Sequence, residues 1–312
     1  NIIDALKTNK KKSFLTINGI SGINGLEPSL NIIRHTENFA IANKESIICG
    51  WNFLQKELKK YKTNFIPLDS EHFSIWSLIR NSNHEMISKI YLTASGGPFL
   101  NKSKSKISNA RISDVIKHPN WNMGHKISVD SATLMNKLFE LVEASKIFNL
   151  PINKFDIIIH PKSYVHALVN FKNGLSKILI HDTQMEIPIF NSIFYKTSET
   201  YKRNKDINFK NLNGVNFIKP SVSNFPLLKL IKEYKRNNSY YEIILVTVND
   251  YFVKKFLNGN INFQKMQIKL LKKLKDPYLS KYYNKYPKKI NDIYMMVNKV
   301  NKYLYENEEI YK

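Results

Sequence analysis

The tetrapeptide Asp69-Ser70-Glu71-His72 follows the apolar run Phe65-Ile66-Pro67-Leu68. At the carboxyl end of a strand, residues two apart point the same way, so Asp69 and Glu71 would set two carboxylates on one side of a loop. Hard oxygen donors of this kind suit Mg²⁺ or Mn²⁺; a solvated turn with an acidic cap is the bland alternative. In the stretch Ser131 to Glu140, the residues Asn136, Lys137 and Glu140 stand three and four apart and share one helical face. Glu140 is there a candidate third metal ligand, and Lys137 and Asn136 are candidate donors to a phosphorylated substrate. A helix start near Ser131 would add backbone N–H groups for the phosphate. An exposed ion pair is the plainer reading. Ser95-Gly96-Gly97-Pro98 offers a hydroxyl beside a turn whose glycines let the backbone approach an anion, although Gly-Gly-Pro is also a common tight turn. The loop His118-Pro119-Asn120-Trp121-Asn122-Met123-Gly124 carries one ring donor and two large apolar groups, the composition of a lid that closes over a ligand and excludes water.

These residues need rigid elements beneath them. Phe14 to Ile17 reads as a strand, Asn18 to Gly25 as a glycine-bearing turn, the next stretch to about His35 as a helix, and Phe39 to Ala42 as a second buried strand. That order predicts a doubly wound parallel α/β unit that the chain enters partway through. Ile90 to Thr93 and Ile157 to Ile159 read as strands. A helix is predicted over Ser131 to Phe148, with Asp130 and Ser131 as caps and Pro151 beyond its end. Tyr195 to Asn224 is polar and irregular. After Phe225-Pro226 the apolar residues recur at helical spacing, among them Leu227, Leu230, Ile243, Ile244, Phe252 and Phe256. The fold class expected is α/β: a remnant of a doubly wound parallel sheet, an α+β catalytic domain and a C-terminal helical domain. The expected divisions are residues 1–60 for nucleotide binding, 61–195 for catalysis and metal binding, 196–225 as linker and 226–312 as the helical domain.

With 312 residues, 43% of them hydrophobic, the chain can bury more than one core. Its one cysteine, Cys49, excludes an intrachain disulfide and any multi-thiolate zinc site, and it fits a reducing compartment, the cytoplasm or an organelle interior. No apolar run approaches the ~20 residues needed to span a bilayer. The net charge of +23, from 48 Lys+Arg against 25 Asp+Glu, raises the question of nucleic acid. The excess is mostly lysine, accompanied by abundant asparagine, isoleucine and tyrosine, which is the coding bias of an AT-rich genome. No nucleic-acid reading motif accompanies it, so neither nucleic acid nor membrane is expected as a partner. The faces bearing Lys272, Lys273 and Lys275 read as solvated surface.

Taken in order, Ala42-Asn43-Lys44-Glu45-Ser46, Asp69-Ser70-Glu71-His72, Ser95-Gly96-Gly97-Pro98-Phe99, His118-Pro119-Asn120-Trp121 and Ser131 to Glu140 closely resemble the 1-deoxy-D-xylulose-5-phosphate reductoisomerase family, from about Ile20 to Pro188. The resemblance implies an enzyme that uses Mg²⁺ or Mn²⁺ to rearrange 1-deoxy-D-xylulose 5-phosphate. It then reduces the product with NADPH to 2-C-methyl-D-erythritol 4-phosphate, a step of non-mevalonate isoprenoid biosynthesis. Carried over by motif, Asp69, Glu71 and Glu140 hold the metal, and Lys44 and Ser70 hold the substrate hydroxyls. Ser95, Ser131, Asn136 and Lys137 bind its phosphate, His118 lies beside it, and Trp121 and Met123 belong to the lid. Lys44, Glu71 and His118 are the catalytic candidates. Ile20, Ser21, Asn43, Lys44, Glu45, Met123 and Gly124 are the residues expected to meet NADPH. His166 matches a histidine region of the family more loosely.

Departures accompany the likeness. The family's Gly-Ser-Thr-Gly-Ser-Ile-Gly phosphate loop has no counterpart here, which implies an N-terminally truncated, divergent member whose missing segment a separate chain could supply. Leu138 stands where the family has glycine, Gln184 where it has aspartate, and Val248-Asn249-Asp250 matches its Ala-Asn-Glu faintly. A homodimer is expected by resemblance. The alternative reading is an eroded homologue that binds metal and substrate without reducing.

Overall fold

Two short apolar strands, each ending near an asparagine, set the first layer of the structure, a computed structural model that describes residues 11–202, 206–234 and 238–307. Residues 1–10 of the expected nucleotide-binding stretch, and 203–205 of the expected linker, lie outside the described residues. Strands β1 (Ser13–Asn18), β2 (Thr36–Ile41) and β3 (Asn64–Pro67) form a parallel sheet in that order. Helices α1 (Leu26–Ile32) and α2 (Lys44–Tyr61) make the crossovers that parallel pairing requires. β2, the central strand, is buried at every residue but Glu37, as a strand covered on both faces should be.

Asparagines organise both loops at the carboxyl end of this sheet. Asn18 is 7% exposed. Its amide donates to the Gly25 carbonyl at 2.9 Å, and its oxygen accepts the Ile20 N–H at 2.8 Å. Asn43 caps α2 by accepting the Ser46 N–H at 2.7 Å, while its amide donates to the Ile20 and Gly22 carbonyls. Glycine is required at residue 25, because an added Cβ would sit 2.6 Å from the Asn43 amide nitrogen.

The chain divides into two compact units. One comprises the described parts of Asn1–Ile47, Asn52–Ser95 and Glu140–Pro220, and the other those of Ile48–Trp51, Gly96–Phe139 and Ser221–Lys312. The first unit holds, besides the parallel sheet, helix α3 (Ser70–Ile79) and a mixed sheet in the order β5 (Phe155–Ile159), β4 (Ile87–Ala94), β6 (Val165–Phe171), β7 (Ser176–Ile180). β4 runs parallel to β5 and antiparallel to β6, and α3 packs on β6 and β7. The polar stretch beyond Tyr195 is less free than its composition suggests. It contains a short helix, α6 (Phe209–Asn213), and Ile218 exchanges two hydrogen bonds of 2.8 Å with Ile159 at the edge of β5.

The helix predicted over Ser131 to Phe148 is two helices, α4 (His125–Ala132) and α5 (Met135–Ile147). Leu134 separates them at φ 59°, a left-handed conformation that costs a leucine about 1–2 kcal/mol. Burial of its side chain at 2% exposure holds it there, and the Thr133 hydroxyl accepts the Met135 N–H at 3.3 Å. Ser131 thus lies near the end of a helix, not at the start of one.

Asp130 is not a cap either. It is 3% exposed and accepts from the amide of Asn249 at 2.8 Å, with Lys126 3.5 Å away. Asn249 lies on α7 (Tyr240–Leu257), which packs against α4, α8 (Phe263–Lys273) and α9 (Ile290–Glu306). The helical spacing of Ile243, Ile244, Phe252 and Phe256 is realised as the buried face of α7. Lys273, read from sequence as solvated, is 7% exposed and lies over the Tyr303 ring. Among the described residues, no helix is long and apolar enough to cross a membrane.

The Asp130–Asn249 bond predicts a stability effect, since a buried carboxylate that loses a donor retains its desolvation cost. Asn249→Ala should destabilise the chain by about 1–3 kcal/mol in urea unfolding. An unchanged midpoint would show that the pair does not tie α4 to α7.

Candidate functional site

Three carboxylates converge in the first unit: Asp69, Glu71 and Glu140 each offer an oxygen, and these atoms all lie within 4.8 Å of one another. The convergence of Asp69 and Glu71 does not come from strand alternation, as expected from sequence. β3 ends at Pro67, Asp69 caps α3 by accepting the Glu71 N–H at 3.2 Å, and Glu71 occupies the first turn. A helix N-terminus favours both anions there. Glu140 comes from the middle of α5 and is 1% exposed.

Lys44, the first residue of α2, reaches into this cluster. Its ammonium pairs with Asp69 and lies 3.4 Å from Glu140 and 3.8 Å from Glu143. Burial alone would discharge it, but the carboxylates of Asp69, Glu140 and Glu143 outweigh burial and hold its pKa well above the ordinary lysine value. Burial pushes Glu143 up to about 7, against the pull of Lys44 and His72. His72 braces the group from behind: its Nε2 lies 2.9 Å from the Glu140 carbonyl and its Nδ1 3.6 Å from Asp69 Oδ1. A carbonyl only accepts, so Nε2 carries the proton. The Ser70 hydroxyl donates to the Glu71 carboxylate.

The donor set fits a hard divalent cation. At an effective dielectric of about 20, two carboxylates this close repel by roughly 3 kcal/mol or more. One ammonium offsets part of that repulsion, and a dication bound by oxygen ligands would offset most of the rest.

On the same unit, Ser95 follows the last residue of β4 and is half-buried. Ile20 and Ser21 are exposed on the loop that Asn18 and Asn43 pin. Glu45 is half-buried beside Lys44. Asn43 itself is 4% exposed, and its side chain is engaged with that loop and the start of α2. It thereby shapes the loop from Ile20 to Gly22. His166, on β6, stacks on His181 with ring centroids 3.6 Å apart, and its Nε2 lies 3.1 Å from the His181 carbonyl. Burial lowers the His181 pKa, with Glu71 among the charges that oppose this.

In the second unit, His118 Nδ1 accepts the N–H groups of Asn120 at 3.2 Å and Trp121 at 3.0 Å, which curls the expected lid back on itself. Burial, and then the Lys137 ammonium, push its imidazole down to about 4. Trp121 and Met123 are half-buried, and Gly124 is the N-cap of α4. Ser131 and Asn136 are half-buried, whereas Lys137 is only 6% exposed. Gly97 lies so close to α4 that a Cβ would meet the Ala132 Cα at 3.1 Å.

Glu143 and His181 were not among the residues singled out from sequence. Glu143 stands three residues beyond Glu140, the helical spacing that could have marked it. His181 carries no local signal, because only the pairing of β6 with β7 brings it to His166.

Comparisons with known proteins bear on these geometries. Profiles of the 1-deoxy-D-xylulose 5-phosphate reductoisomerase family match residues 3–50 and, for its C-terminal domain, residues 65–148. A further DXP reductoisomerase C-terminal domain matches residues 181–303, so the likeness extends through the helical region that motif reading placed outside it. A 1-deoxy-D-xylulose 5-phosphate reductoisomerase of Pelagibacter ubique is 51% identical over 286 residues, covering 92% of this chain and 73% of the relative. One of Sulfurihydrogenibium is 36% identical over 286 residues, 91% of this chain and 73% of its own. Among solved structures, a DOX-P reductoisomerase in complex with NADPH, fosmidomycin and magnesium superposes with TM-score 0.89 at 30% identity. It spans 99% of this chain and 78% of that one. The Zymomonas mobilis enzyme in complex with NADPH superposes with TM-score 0.84 at 29% identity, over 96% and 76%.

The His118 environment sets a pH dependence. An unfolded histidine titrates near 6.5 and the folded one near 4, so between these values the unfolded chain binds a proton that the folded chain refuses. Its contribution to stability therefore falls as pH drops from about 6.5 to about 4. His118→Asn should flatten the decline of the thermal midpoint over that range, and an unchanged slope would contradict the assignment.

Proposed function

Since the chain belongs to the 1-deoxy-D-xylulose 5-phosphate reductoisomerase family, we propose that its acidic cluster is the metal centre of that reaction and that the residues matched by motif hold substrate and NADPH. The observation that carries the reading is the convergence of Asp69, Glu71 and Glu140 to within 4.8 Å around the ammonium of Lys44. These three carboxylates would hold Mg²⁺ or Mn²⁺. When bound, the ion would supply Lewis acidity, polarising the substrate carbonyl and stabilising charge on its oxygen during carbon–carbon cleavage and rejoining.

The chain's own groups do the rest. Lys44 stays protonated at neutral pH, because three carboxylates outweigh its burial. It can therefore donate to a substrate hydroxyl while holding Asp69 and Glu140 apart from direct repulsion. Ser70 orients Glu71 through its hydroxyl and presents the same atom to the substrate. Lys137 and Asn136 lie on the first turn of α5, as donors to a phosphate, and Ser95 and Ser131 add hydroxyls. His118 is neutral at physiological pH with Nδ1 committed to two backbone N–H groups, so its Nε2 carries the proton, as a donor to substrate requires. The loop from Trp121 to Gly124 covers the substrate and excludes water. NADPH, the reductant named for related structures, would lie along the loop of Ile20 and Ser21. Asn43 keeps that loop in shape and Glu45 stands beside it. The chain acts in the cytoplasm or an organelle interior.

A homodimer fits the same reading. β7 is an edge strand whose neighbourhood exposes Leu175 at 61% and Ile178 at 50%, and such an edge invites pairing with another chain.

Two measurements test these readings. In an assay that follows NADPH oxidation with 1-deoxy-D-xylulose 5-phosphate and Mg²⁺, Glu140→Gln should lower turnover by more than about a hundredfold. Even supporting residues around a metal cost 10–100-fold when changed. It should also abolish the Mn²⁺ dependence of phosphonohydroxamate binding in calorimetry, whereas unaltered turnover would contradict the metal assignment. For the dimer, Ile178→Lys should shift the light-scattering mass toward the monomer, and a monomeric parent chain would refute it.

A further inference from the structure

The Nε2 of His181 is buried in the first unit and meets no hydrogen-bond partner among the described residues. The residue stands directly after β7 and is 9% exposed. Three contacts fix it. Its Nδ1 lies 2.7 Å from the Asp182 carbonyl, which only accepts, so Nδ1 carries the proton. The His166 ring stacks on it with centroids 3.6 Å apart and planes at 10°, and His166 Nε2 donates to the His181 carbonyl at 3.1 Å. Burial holds the imidazole pKa below its usual value, so at neutral pH Nε2 is a bare acceptor. The stack covers a face of the ring, whereas the Nε2 lone pair lies in the ring plane.

This acceptor belongs to the end of β7 where the acids gather. At the other end, Lys177 donates to the Leu78 carbonyl at 3.3 Å and to the Ser82 hydroxyl at 3.1 Å, beside the last turn of α3. From Lys177 to His181 the strand advances about 13 Å, and from Leu78 back to Glu71 the helix covers about 10 Å. With α3 packed on β7, His181 comes level with the first turn of α3, and Glu71 is among the charges that act on its ring. Burial is the rule at this site: Lys44 and Glu140, assigned above to substrate and metal, are 9% and 1% exposed. A buried acceptor without a donor is costly, and a ligand hydroxyl supplies what this one lacks.

We propose that His181 is a further substrate-binding residue, its Nε2 accepting a hydrogen bond from a substrate hydroxyl that the metal does not hold. The inference rests on the reading of the acidic cluster as the metal centre.

Two measurements on the full chain test it. His181→Phe keeps a ring to stack on His166 but has no acceptor. Its KM for 1-deoxy-D-xylulose 5-phosphate should rise about tenfold with a smaller change in kcat. Its Mn²⁺-dependent binding of a phosphonohydroxamate fully substituted at nitrogen should stay at the parent affinity, because the metal-binding end of that analogue has no O–H or N–H to donate once it is bound. A parent-like KM, or equal losses for substrate and analogue, would overturn the proposal. Nitrogen-15 NMR of the histidine-labelled parent chain needs no variant: the His181 Nε2 resonance should move when substrate is added with Mg²⁺ and stay in place with Mg²⁺ alone. Movement with Mg²⁺ alone, which assigns Nε2 to the cation or its water, or no movement with substrate, would overturn it as well. These outcomes leave the metal centre standing, whereas a parent chain that binds no analogue with Mn²⁺ removes the metal-centre reading and this inference with it.

Discussion

The structure of the candidate site depends on one buried ammonium. Lys44 lies among Asp69, Glu140 and Glu143, and without it these acids would lose the ammonium that offsets their mutual repulsion. The groups it touches come from two other elements of the chain. Lys44 itself begins α2 directly after β2, Asp69 caps α3 directly after β3, and Glu140 and Glu143 come from α5. The parallel pairing of β2 with β3, residue by residue from Asn38–Asn64 to Ile41–Pro67, is what brings the first two junctions side by side. The position of the ammonium is therefore a consequence of sheet register.

That dependence explains why the loop-shaping residues are amides and hydroxyls and not charges. Asn18 and Asn43 satisfy backbone groups at the carboxyl ends of β1 and β2 without adding to the electrostatic load. Thr93 does the same at the end of β4, donating to the Val165 carbonyl at 2.6 Å. Buried polar groups that are fully paired stiffen a site, and Asn43 does so directly before Lys44, whose ammonium pairs with Asp69.

Much of this was legible in the sequence. The strand, glycine turn, helix, strand order from Phe14 to Ala42 appears as β1, α1 and β2, because apolar runs bounded by asparagine and glycine have few other ways to satisfy their backbone. The helical spacing after Phe225 appears as α7 to α9. What could not be read depended on partners distant in sequence. Periodicity runs unbroken through Leu134, so the break between α4 and α5 is invisible until the buried side chain is seen to hold a left-handed backbone. Asp130 has the residue type of a cap, but Asn249, 119 positions away, claims it. Lys273 looks like any surface lysine, yet Tyr303 and Asp276 bury it. The carboxylates of Asp69 and Glu71 were found for a geometric reason that the structure replaces, since helix capping and not strand alternation brings them together.

The most direct test of the central claim is to locate the cation. Crystals of the chain grown with Mn²⁺ should give one dominant anomalous difference peak within coordination distance of carboxylate oxygens from Asp69, Glu71 and Glu140, with Lys44 turned from the ion toward Glu143. A dominant peak at other residues, or none at a Mn²⁺ concentration that supports turnover, would contradict the account.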